Sequence, residues 1–170
     1  MMGVASKARN YGAALGVVDK MKWIMLIYKL PKSKTSANKV SVWRKLKRLN
    51  VYPLQDSVCI LPYSERTVEN FEWLSEEIKE MGGEATLWET ACLSNYEEER
   101  INEYFLNQTN KQYLEIINAV NDVVNVKQLQ SMWSLMNRVK AQDYLKSPLW
   151  IEVKGALQRK AQEFSRKGDE

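Results

Sequence analysis

This 170-residue sequence predicts an α+β fold: a four-stranded antiparallel sheet backed by two helices, followed by a helical extension. Three observations predict it. Residues 22–90 change between short apolar runs and amphipathic periods in the order strand, helix, hairpin, helix, strand. Two strand–helix–strand crossovers of the usual right hand place all four strands in one antiparallel sheet with both helices on one face, the ferredoxin-like βαββαβ arrangement. From Ser94 onward only helical periods recur. The expected organisation is therefore a mobile leader over residues 1–21, a core over 22–90, a helical extension over 91–166 that packs on the uncovered sheet face, and a disordered tail over 167–170.

The first strand is the run Trp23-Ile-Met-Leu-Ile-Tyr28, ended by Leu30-Pro31. A continuous apolar run of this length suits a central strand covered on both faces. Lys32-Ser33-Lys34-Thr35-Ser36 is a polar loop, with Ser36 or Asn38 available as a cap. Val40–Leu49 has helical period. At 100° per residue Val42, Trp43, Leu46 and Leu49 share an arc that should face the sheet, opposite Arg44, Lys45, Lys47 and Arg48. Asn50 follows as a left-handed terminator.

Val51–Gln55 and Val58–Leu61 flank Asp56-Ser57, the spacing of a hairpin. Pro53 has no N–H to donate, so its strand belongs at an edge or carries a bulge. Ser64 or Thr67 starts the next helix, whose stripe is Phe71, Leu74, Ile78 and Met81, with Trp73 off the stripe. Gly82-Gly83 stops it, and Ala85–Trp88 is the last strand. In the extension, Ser94 opens a capping box and Ile101 to Val120 carries an apolar stripe weakened at Asn107–Asn110. Residues 120–126 read as a turn or a short extended piece. Helices follow over Leu129–Val139 and Leu149–Phe164.

Composition excludes more than it assigns. The chain has no histidine, which removes Ser-His and Cys-His nucleophile pairs, an imidazole base and His-ligated zinc. Cys59 and Cys92 form no metal or redox spacing and read as isolated thiols. The carboxylates of the second helix lie at helical spacing, as a solvated face does. No catalytic residue, metal site or cofactor is expected, and the chain is not expected to be an enzyme. No apolar run has membrane length and no secretory signal is evident, so a cytoplasmic protein is expected.

The net charge of +4 is segregated. Lys20 to Gln55 holds ten cations and no carboxylate; Glu65 to Glu103 holds twelve glutamates against Arg66, Lys79 and Arg100. A basic block of this kind points to a polyanion. Arg44, Lys45, Lys47 and Arg48, with Lys39 just before the helix, are the candidate DNA contacts, the arginines suited to bidentate bonds and the lysines to phosphates. Lys29, Lys32 and Lys34 precede that helix and form a candidate oxyanion site.

WIMLIYKLP (23–31), VSVWRKLKRLNVYPLQDSVCILP (40–62) and WLSEEIKEMGGEATLWE (73–89) together resemble the N-terminal domain of the ChrB family. The segments Tyr96–Ile116 and Met132–Pro148 are similar to its helical tail, so the likeness spans roughly residues 22–166. The resemblance implies a cytoplasmic bacterial protein of chromate resistance, often a chromate-responsive transcription regulator. That would make double-stranded DNA the partner, with chromate as an effector and a homodimer as the assembly. The core is more distantly similar to PaaX-type repressors and to the small CRISPR adaptation nuclease. The nuclease places an Asp at the end of the first strand, where this chain has Tyr28-Lys29-Leu30. A protein-interaction or chromate-sensing module without direct DNA binding is the alternative reading.

Overall fold

The computed structural model describes residues 20–32 and 37–168. Most of the expected leader (1–19), Ser36, Lys34 and residues 169–170 of the expected tail lie outside them. The elements are β1 (Lys22–Lys29), α1 (Ala37–Leu49), β2 (Tyr52–Gln55), β3 (Val58–Pro62), α2 (Glu65–Glu80), β4 (Glu84–Ala91), α3 (Asn95–Val120), α4 (Val126–Ala141) and α5 (Leu149–Gly168). The fold is α+β. Its four strands form one antiparallel sheet in the order β2-β3-β1-β4. No described helix is long and apolar enough to cross a membrane.

β1 is central, paired with β3 on one side and β4 on the other. Its side chains alternate between faces. Trp23 stacks on Phe105 of α3, ring centroids 5.9 Å apart, so the face of Trp23 is the one that receives α3. Ile24 and Leu26 point the other way, into a cluster with Val42 and Leu46 of α1 and Phe71, Leu74 and Ile78 of α2. β2 is an edge strand and its register slips between Pro53 and Gln55, so Pro53 sits at both the edge and the irregularity that its missing donor requires.

Local chemistry fixes the helix ends. Ser64 caps α2 by accepting from Thr67 N, while the Ser64 N–H donates to Thr67 Oγ1 at 2.9 Å. Asn50 ends α1 at φ 53° and Gly82 follows α2 at φ 82°. Gly83 is required for a different reason: a Cβ there would lie 2.6 Å from the Lys29 carbonyl oxygen, so only glycine lets β4 start this close to the end of β1. β4 itself runs to Ala91, three residues beyond the expected strand.

α3 is one continuous 26-residue helix despite Asn107-Gln-Thr-Asn110. Thr109 is buried there, and Ser147 Oγ donates to Asn110 Oδ1 at 2.5 Å, so tertiary contacts offset the weak local propensity. Its first half, with Ile101 and Phe105, joins the sheet cluster. Its second half, with Tyr113, Ile116 and Val120, forms a separate core with Leu129, Met136 and Val139 of α4 and Val153 and Leu157 of α5. The extension thus meets the sheet face mainly through α3. Trp88 stays 54% exposed, and Ile27 on the same face is exposed too.

Candidate nucleic-acid interface

α1 buries Val42 and Leu46 and exposes Lys39, Val40, Trp43, Arg44, Lys47 and Arg48. At 100° per residue the exposed six span one continuous half of the helix. Trp43 corrects the sequence reading: it is 58% exposed and stands within the cationic arc, not against the sheet. It lies about 60° past Leu46 on the wheel, just beyond the arc the sheet covers. Lys47 Nζ sits 4.9 Å from the centroid of its ring. Such contacts contribute about 0.5–1 kcal/mol at exposed positions. Trp43 lines two adjoining grooves that share Tyr28 and Asp56, one extending to Lys29 and Lys39, the other to Lys47, Asn50, Pro53 and Gln55.

The structure also splits the four expected cations. Lys45 is half-buried and ion-paired with Glu77 of α2, which also takes a hydrogen bond from Ser41 Oγ at 3.4 Å. Sequence spacing showed no carboxylate near Lys45 within its own helix; the partner comes from the neighbouring one. Lys39, Arg44, Lys47 and Arg48 have no carboxylate within 4.0 Å among the described residues.

In the candidate oxyanion site one lysine is paired in the same way. Lys29 pairs with Glu84 directly across the β1–β4 ladder at 3.5 Å. Lys32 is exposed, and Lys34 lies outside the described residues. Lys22 meets Glu89 at 2.6 Å. The acidic block of the sequence is therefore, in space, the counter-charge for part of the basic block. On the solvent face of α1, Lys39, Arg44, Lys47 and Arg48 stay uncompensated among the described residues.

α1 is anchored from the extension. Tyr144 Oη donates to the Leu49 carbonyl at 2.7 Å and Gln142 Nε2 donates to the Arg48 carbonyl, so the loop after α4 holds the last turn of α1. Tyr104 Oη donates to the Val51 carbonyl at 3.2 Å. Burial pushes the Tyr144 phenol up to about 12, which keeps it a donor across the neutral range. Cys59, buried on β3 of the hairpin, is also pushed up to about 12 by burial, leaving an unreactive thiol. Cys92 donates to the Ser94 carbonyl at 3.3 Å.

No curated protein and no solved structure matches this chain. A family match is found, and it begins at Lys39 in the first turn of α1 and runs through the hairpin, α2, β4 and α3 to Leu129. That span, residues 39–129, is just over half of the chain and fits the family model for the N-terminal region of protein ChrB, so the chain belongs to the ChrB family.

Proposed function

We propose that this chain is a regulatory protein that binds double-stranded DNA through the solvent face of α1. Membership of the ChrB family associates it with chromate resistance. The observation that carries the DNA reading is the uncompensated cationic arc: Lys39, Arg44, Lys47 and Arg48 exposed together on a helix whose other side is held by the sheet. Arg44 and Arg48 are one turn apart and suit bidentate contacts, while Lys39 and Lys47 suit phosphates. Lys45, tied to Glu77, contributes least.

In the same reading the sheet is ferredoxin-like, supported by the order β2-β3-β1-β4 and by the α1 and α2 crossovers. A homodimer fits as well, supported by the eight-residue edge strand β4 and the exposed Trp88 on it. The reading involves no catalytic step and no cofactor, and it places the protein in the cytoplasm.

Arg44→Glu with Arg48→Glu tests it in a gel shift against the DNA upstream of the protein's own gene. The parent is expected to bind with steep salt dependence and the variant to lose binding with its fold intact, since neither side chain is buried. Parental affinity of the double variant at low salt would overturn the reading.

A further inference from the structure

The five helices differ in how they treat their own dipoles. α2, α3 and α5 each carry a carboxylate in the first turn: Glu65, Glu97 with Glu98, and Glu152. That is the favourable arrangement, because the N-terminal end of a helix is positive. α1 and α4 carry none, and each places a lysine there instead, Lys39 and Lys127. Both also end in cations, Lys47 with Arg48 and Arg138 with Lys140. Cations in a last turn complement the dipole; a cation in a first turn opposes it. Helix stability therefore accounts for Arg138 but not for Lys127.

On α4, Lys127, Gln130, Ser131, Ser134 and Arg138 line one open groove and are all exposed. At 100° per residue they form one stripe, opposite the buried Leu129, Met136 and Val139. The stripe is long: its two cations are eleven positions apart, about 16 Å along the axis. Neither Lys127 nor Arg138 has a carboxylate within 4.0 Å among the described residues. Lys140 is turned aside, its Nζ 4.4 Å from the Trp150 ring centroid.

The two exceptional helices meet. Gln142, the C-cap of α4, donates to the Arg48 carbonyl, and Tyr144 holds Leu49. The C-terminal ends of α1 and α4 are thus adjacent, and each carries cations in its last turn. This adjacency, with a polar stripe on α4 that carries no apolar side chain, fits a phosphate backbone and not an apolar protein partner.

We propose that α4 is a second DNA-contacting helix, its Lys127–Arg138 stripe lying on the backbone of the duplex whose other contacts are made by α1. This rests on the α1 reading above and extends the footprint from the sheet domain into the helical extension.

The test uses the full chain and a fluorescent mixed-sequence DNA duplex, with affinity measured over a salt series. Lys127→Glu with Arg138→Glu should weaken binding at low salt by roughly tenfold or more and reduce the salt slope by about two, since each lost phosphate contact removes about 0.9. Lys127→Glu alone should weaken binding while its melting temperature stays level or rises, because a first-turn carboxylate suits the dipole. A merely structural role for Lys127 does not give those opposite signs. Parental slope and affinity in the α4 double variant, with the α1 double variant unable to bind, would overturn this proposal and leave the α1 reading standing. Loss of binding in the α4 variant together with full binding in the α1 variant would uphold the α4 contact and remove the α1 one. Tight binding to single-stranded RNA with none to the duplex would overturn both.

Discussion

Helices α1 and α2 cover the same face of one sheet, and they differ in almost everything except that shared apolar contact. α2 has a reciprocal capping box at Ser64 and Thr67, a glutamate in its first turn, Lys79 in its last, and a Lys79–Glu76 pair at 2.8 Å. Each of these favours the helix by itself. α1 has a lysine in its first turn, no carboxylate of its own, and a C-terminal end held by Gln142 and Tyr144 from the extension. α1 departs from local stability rules at several points, as the proposed DNA contact would require, and the fold supplies from elsewhere what the sequence of α1 lacks.

The comparison breaks most visibly in the core. Phe71 of α2 is fully buried in the sheet cluster. Phe71→Ala should destabilise the protein by about 3–5 kcal/mol in urea unfolding, the range for emptying a large aromatic site. A loss below that of an ordinary surface substitution would mean that α2 does not rest on the sheet as described. Arg44→Glu with Arg48→Glu is the contrasting case: full loss of DNA binding with the unfolding midpoint little changed.

A smaller effect separates the two helices by pH. The Tyr144 phenol that holds α1 is raised to about 12 from 10.0 by burial. An acid whose folded pKa is raised binds its proton more tightly in the folded state, so its contribution is complete below pH 10 and is lost as pH rises from 10 toward 12. Cys59, raised to about 12 from 9.0, adds in the same direction. Melting temperature should therefore fall through this alkaline window, and Tyr144→Phe should flatten part of the fall. An identical alkaline profile in Tyr144→Phe would show that the phenol does not anchor α1.

The ion pair between α1 and α2, Lys45 with Glu77, gives a smaller effect still. Glu77→Gln removes the charge opposite Lys45 and keeps an oxygen for Ser41. Both side chains retain solvent contact, so the expected loss is about 1 kcal/mol at most. Lys45, once freed, should join the cationic arc, and DNA affinity should rise slightly as stability falls. No change in the salt slope of binding would show that Lys45 has no access to the duplex.

The sequence made the sheet legible because its signals are local. Pro53 declares an edge, Asn50 and Gly82 declare left-handed stops, and the Trp23–Tyr28 run declares a central strand. Helical period also located the buried Val42 and Leu46. What period cannot give is where a neighbour's cover ends. Trp43 lies just outside it and is exposed, while Lys45 lies inside the reach of Glu77, 32 residues away. The segregated charge was visible, but its pairing through Lys22–Glu89, Lys29–Glu84 and Lys45–Glu77 depends on strand register and helix contact. The stripe on α4 had a local signal that composition hid: a first turn with Lys127 and no carboxylate.

The smallest expected effect is the most discriminating. Lys39 stands in the first turn of α1, exposed and unpaired among the described residues, where its charge opposes the helix dipole. If α1 were an ordinary solvated helix, Lys39→Gln would change nothing but stability, and only in the favourable direction, by about 0.3 kcal/mol. If Lys39 sits on a DNA phosphate, the same substitution also weakens binding and lowers the salt slope by about one. The two measurements then move in opposite directions: thermal unfolding shows a level or slightly more stable protein, while fluorescence anisotropy shows a weaker and less salt-sensitive complex. Steric damage or a lost fold would lower both together. A variant with parental affinity and parental slope would remove Lys39 from the interface and confine the contact to the later turns of α1, around Arg44, Lys47 and Arg48.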